Sequence, residues 1–144
     1  SSSRLSGFKS EMKRLEKRLP LFAASAENPP FASDGPPESV LLDVPCSGLG
    51  VLSRRPDIKQ KRRPEDIAAF TRLQRTMLES AFHLLPPGGQ ILYMTCTLNR
   101  QENQEQVSDL LNKKPSLKLL QELETDIPSS QLGEYFYLAR LEKG

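Results

Sequence analysis

The sequence predicts an α/β layered fold that closes on an antiparallel strand pair. Three observations carry this. Apolar runs of strand length alternate with segments of helical period, the pattern of helices packed on a sheet. Two of those runs, SVLLDV at 39–44 and QILYMTC at 90–96, are continuously apolar, as buried parallel strands are. Two further strand-like segments, LKLLQEL and EYFYLARLEK, follow each other at the end of the chain. A length of 144 residues is enough for one domain with its own core.

Taken in order, residues 4–18 place Leu5, Phe8, Met12 and Leu15 at helical spacing above a basic opposite face. LPLFAAS at 19–25 is short and apolar, a candidate strand, and the Pro-, Ser- and Gly-rich stretch up to Ser39 is a loop. SVLLDV is the first confident strand. PDIKQKRRP at 56–64 is a basic loop, and Pro64-Glu65-Asp66 opens a helix with proline in the first turn and acids at the positive end of its dipole. Ile67, Phe70, Leu73, Met77, Leu78, Ala81 and Leu85 give that helix a broad apolar face, and PPGG ends it. QILYMTC is the second strand. The segment from Asn99 reads as a helix with Asn99 as cap and Glu102 completing a variant capping box.

Composition narrows the function. The chain is 37% hydrophobic and 26% charged with a net charge of +2, ordinary values for a globular protein. No apolar run approaches the roughly 18 residues of a membrane span, and the start lacks a secretory pattern. Two cysteines and one histidine are too few for a structural zinc site of about four ligands. The expectation is a cytoplasmic protein with free thiols, no membrane contact and no metal.

In open α/β sheets, ligands bind beyond the carboxyl ends of the strands. Both cysteines fall there: Cys46 follows LLDV and Cys96 follows QILYMT, so neighbouring strands would bring both thiols to one crevice. A buried cysteine is often only a small hydrophobe, but two at matching strand ends, one near an acid and one between two threonines, favour chemistry. A phosphate-cradling cysteine loop fails on spacing, because position 52 is Leu and Arg54 comes later. A dinucleotide fingerprint fails because no glycine follows Gly48 and Gly50 at position 53. A redox pair would require Cα atoms within about 7 Å. The single histidine, His83, lies late in the amphipathic helix and reads as structural.

LLDVPCSGLG, then RRPDIKQ, then LLPPGGQILYMTCTLNRQEN, resembles the RNA cytosine-C5 methyltransferases of the Sun and Fmu group. DVPCSG is similar to that family's fourth motif, YMTCTLNRQEN to its sixth, and GEYFYLARL to the strand that ends its domain. The resemblance implies the carboxyl-terminal part of a Rossmann-like sheet that uses S-adenosylmethionine, and an RNA substrate such as rRNA. It implies Cys96 as the nucleophile at carbon 6 of cytosine, Cys46 as the group assisting release, and Asp43 as hydrogen-bond partner of the base near the methyl donor. Pro45 would shape the turn at the donor side, and Ser47 and Gly48 would let backbone approach the base. Arg54, Arg55, Lys59, Lys61, Arg62 and Arg63, six cations within ten residues, would contact phosphates. Gln60 stands where an aromatic residue is common in the family.

Two family features are missing: the glycine-rich turn after a first strand and the acid after a second. The chain also opens without Met on a helix start. It is therefore expected to be the carboxyl half of a methyltransferase domain, inactive alone. Residues 36–144 would form the catalytic core and 1–35 would be poorly anchored, or paired with another chain through an exposed sheet edge. A non-catalytic RNA-binding α/β remnant is the competing reading.

Overall fold

The computed structural model describes residues 2–16, 23–29, 35–125 and 133–144. Helix α1 spans Ser2–Arg14, strand β1 Ser39–Asp43, the short helix α2 Ile58–Lys61 and the long helix α3 Pro64–Leu84. Strand β2 is Gln90–Thr95, helix α4 Gln104–Lys113, β3 Leu117–Glu124 and β4 Tyr137–Lys143. Short 3-10 turns cover Leu49–Val51 and Arg100–Glu102.

The four strands form one sheet in the order β1-β2-β4-β3. β1 and β2 are parallel, as a helical crossover through α3 requires, while β4 runs antiparallel to both β2 and β3. The expected final antiparallel pair is present, with β4 also paired to β2.

Period-2 alternation decides what is buried. Ile91 and Tyr93 of β2 and Tyr137, Ala139 and Leu141 of β4 are all at 0% exposure. They form the core with Leu42 of β1, Met77, Leu78 and Ala81 of α3, and Val107 and Leu110 of α4. α3 begins as expected from Pro64-Glu65-Asp66: the Asp66 carboxylate accepts from the Arg63 backbone N–H at 2.9 Å. At its other end the Lys143 ammonium donates to the carbonyls of Phe82 at 3.1 Å and Leu85 at 2.7 Å, tying β4 to the last turn.

Four expectations need correction. SVLLDV was expected to be buried on both sides, but Leu41 is 64% exposed, because α3 covers only one sheet face and no described element covers the other. The first helix stops at Arg14, where Glu16 turns left-handed with φ of 54°, and Phe8 and Leu15 stay exposed. The basic loop holds a helical turn, α2, anchored by buried Ile58. The helix after Asn99 is split into a 3-10 turn and α4, because the Glu102 side chain turns inward. Residues 19–22 of the candidate strand LPLFAAS lie outside the described residues, and Ala23 to Ser25 are irregular.

No described helix is long and apolar enough to cross a membrane, and no described cluster of His, Cys, Asp and Glu could hold a metal ion.

Candidate active site

Parallel pairing of β1 with β2 carries the chain ends after both strands to the same side. Val44 N–H donates to Met94 O at 3.2 Å, extending the ladder, and two residues later Cys46 and Cys96 meet with their sulfurs 3.3 Å apart. The Cys96 backbone N–H also donates to Cys46 Sγ at 3.4 Å. Both thiols are free; Cys46 is buried and Cys96 half-buried.

The turn after Cys46 depends on its glycines. Gly48 adopts a left-handed φ of 74°. Gly50 brings three backbone segments together: its N–H donates to Cys96 O at 3.0 Å and its carbonyl accepts from Tyr135 N–H at 2.8 Å. A Cβ on Gly50 would lie 2.5 Å from Tyr135 O and 2.9 Å from Cys96 O. Gly50→Ala is therefore expected to destabilise the protein by about 1–3 kcal/mol, as overpacking does. Denaturant unfolding checks this, and a midpoint matching the parent would mean the turn can yield.

The sulfur contact sets the electrostatics. A hydrogen bond from Cys96 lowers the Cys46 thiol from its ordinary value to about 7, burial opposing it, while the same contact pushes Cys96 upward. The two thiols thus titrate as a pair that loses its first proton near neutral pH and shares the second across the contact. Thiolate absorbance in the ultraviolet is expected to be half-developed near pH 7 in this chain, whose only cysteines are these two. Cys96→Ala removes the donor and should raise the remaining midpoint towards about 8.5, the ordinary thiol value. An unmoved midpoint would refute the shared proton.

Beneath the thiols lies a polar layer that sequence reading missed. Glu102, at 0% exposure, accepts from the Ser47 N–H at 2.8 Å and from Gln74 Nε2 at 3.1 Å. Gln74, also buried, donates to Pro45 O at 2.8 Å. The Ser47 hydroxyl bonds that of Thr97 at 2.7 Å, and Asn103 Nδ2 donates to Thr97 O at 2.8 Å. The only sequence signal was a run of polar residues on an apolar helix face and behind a strand end.

The expected site residues separate into two groups. Cys46, Cys96 and Asp43 converge: the Asp43 carboxylate stands exposed at the end of β1, close enough that its charge helps raise the Cys96 thiol. Pro45 is exposed beside it. Ser47 is fully buried, with its hydroxyl against that of Thr97. All six basic residues are exposed, and four of them also make contacts within the protein. Arg54 pairs with buried Glu134 at 2.5 Å, and Arg55 and Lys61 both pair with Asp57. Arg62 donates to Ser47 O at 2.9 Å and lies over the Phe70 ring at 4.9 Å, which ties the loop to the turn after Cys46. Lys59 and Arg63 are exposed. His83 is exposed on α3, edge-to-face with Phe82 and outside this site.

The chain matches the model of the 16S rRNA methyltransferase RsmB/F family over residues 1–141. It is 36% identical to ribosomal RNA small subunit methyltransferase B of Vibrio cholerae, over 98% of this chain and 34% of that protein. It is 38% identical to ribosomal RNA small subunit methyltransferase F of Cronobacter sakazakii, over 74% of this chain and 25% of that protein. Among solved structures, NSun6 from Pyrococcus horikoshii with SFG superposes with a TM-score of 0.85 at 30% identity, covering 99% of this chain and 39% of that one. The chain thus spans about one third or less of the two named methyltransferases. Matched over nearly its whole length by the family model and by relatives of this similarity, it belongs to the 16S rRNA methyltransferase RsmB/F family.

Proposed function

We propose that this chain carries the base-side half of an S-adenosylmethionine-dependent methyltransferase acting on carbon 5 of a cytosine in rRNA, through a covalent Cys96–carbon 6 adduct. The observation that carries the reading is the pair of free thiols 3.3 Å apart at the ends of adjacent parallel strands. Family membership and the relative solved with SFG, an S-adenosylmethionine analogue, support the donor class.

Carbon 5 of cytosine is a weak nucleophile, so the ring must first be activated at carbon 6. Cys96, the more exposed sulfur, passes its proton to the Cys46 thiolate across the 3.3 Å contact and adds there. The bond from sulfur to carbon 6 makes carbon 5 enamine-like. S-adenosylmethionine, when bound, supplies the methyl group. Once the Cys46 proton has passed to solvent, its thiolate takes the carbon 5 proton as the carbon–sulfur bond breaks and Cys96 leaves. The exposed Asp43 carboxylate is suited to accept from the cytosine amino group and to face a cationic donor. Asp43 and Pro45 supply one wall of such a donor site at the carboxyl end of β1. The glycine-rich turn that the family places after its first strand is missing from the sequence, so by this reading an upstream half supplies the rest and the chain alone is inactive. Lys59 and Arg63, with Arg54, Arg55, Lys61 and Arg62 around them, would meet the phosphates of an RNA whose target base is unstacked.

The test is trapping on RNA containing 5-fluorocytosine, which blocks release, with the chain joined to an upstream donor-binding half. A covalent protein–RNA band is expected. If no band forms although RNA is bound, the chain is an RNA-binding remnant without this chemistry.

A further inference from the structure

We propose that Glu102 is a positioning residue for the thiol pair: its buried carboxylate holds the turn after Cys46 against the turn after Cys96 and so sets the distance between the two sulfurs. The proposal rests on the reading of those thiols as the reacting groups.

The geometry is a clamp with its centre at one side chain. Ser47 directly follows Cys46, and its N–H points at Glu102 Oε2 from 2.8 Å. Gln74 of α3 spans the same oxygen and the carbonyl of Pro45, which directly precedes Cys46. Both neighbours of Cys46 are thereby fixed to one carboxylate. On the other strand, Thr97 directly follows Cys96 and bonds the Ser47 hydroxyl at 2.7 Å. The 3-10 turn bearing Glu102 is itself pinned to β2, since the Tyr93 hydroxyl donates to Glu102 O at 2.6 Å. Asn99 Nδ2 approaches the second carboxylate oxygen at 3.4 Å. All three partners, the Ser47 backbone N–H and the Gln74 and Asn99 amides, are donors, which suits a carboxylate, an acceptor only.

A fully buried carboxylate is costly to keep in a small protein. A local helix cap could have used the same residue at the surface, as its capping-box position suggests. Here it faces away from its own helix, towards the backbone beside a thiol. The titratable groups facing the pair are Asp43 from β1, Tyr93 from β2 and Glu102 from the 3-10 turn. Of these, Glu102 raises the Cys46 thiol by its charge, while the hydrogen bond from Cys96 lowers it and is the larger effect. Two variants should therefore move the thiol in opposite directions. Glu102→Gln keeps an oxygen for Ser47 N–H and removes the charge. Glu102→Ala removes the clamp, lets the sulfurs part and forfeits the larger effect.

The experiment is an ultraviolet thiolate titration of the 144-residue chain, with circular dichroism on each variant. Glu102→Gln is expected to titrate lower than the parent by roughly half a pH unit. Glu102→Ala is expected to titrate higher, towards about 8.5. A folded Glu102→Ala variant that titrates with the parent overturns the proposal. So does a Glu102→Gln titration at or above the parent's, which decides the matter if the alanine variant does not fold. The readout needs neither RNA nor methyl donor. An absent RNA adduct would therefore count against the proposed function, while the titration still decides the role of Glu102.

Discussion

Cys96→Ala is expected to abolish the covalent RNA adduct, lowering its yield at least about 10³-fold, the scale on which removing a nucleophile acts. Cys46→Ala should leave the adduct forming and slow its release. Distance alone does not separate the two sulfurs, because they touch at 3.3 Å and either could share the proton. Access separates them. Cys46 is buried, held from behind by the Pro45 and Ser47 contacts, whereas Cys96 is half-buried. By the proposed function, a base entering from solvent would meet Cys96 first, and Cys46 would serve as proton acceptor. Gel analysis of 5-fluorocytosine RNA with both variants checks this. Loss confined to Cys46→Ala would keep the enzyme and reverse the two roles.

Leu78→Ala is expected to cost about 3 kcal/mol, within the range for a leucine deleted from a packed core. Leu78 is 1% exposed in the core, on the side of α3 that faces Gln106 and Leu110 of α4. The loss would reach the site, because Gln74 stands one turn earlier on the same face and holds Pro45 O. Leu78→Met, which keeps most of the volume, should cost less than about 1.5 kcal/mol. Urea unfolding of the two variants is the measurement, with unchanged slope and a lowered midpoint expected for alanine. A loss below about 1 kcal/mol for Leu78→Ala would mean that α3 is held mainly by its ends.

Much of the fold could be read from local pattern. The continuous apolar run ending at Asp43 and that ending at Cys96 each mark a strand, and the Pro64-Glu65-Asp66 start marks α3, since proline and acids there satisfy the helix end in any context. The convergence of Cys46 and Cys96 followed from topology, because parallel neighbours must carry their carboxyl ends to one side. Glu102 was misread for a physical reason. Its carboxylate could satisfy a nearby backbone N–H or that of Ser47, which lies 55 residues away in sequence. Only the packed arrangement decides between them. The cations of the basic loop present the same difficulty. Arg54 finds Glu134 and Arg62 finds Ser47 O across the fold, so a run that reads as an open phosphate-binding array is partly occupied by the protein itself.

The sequence by itself determined the strands, the long helix, the family resemblance and the side of the sheet on which both thiols stand. These depend on periodicity and chain direction, which are local. Only the tertiary structure decided that the sulfurs touch and that Glu102, Gln74 and Thr97 support them from below. Those features depend on distances of a few ångströms between residues far apart in the chain, and such distances arise only when the α3 face closes on the sheet.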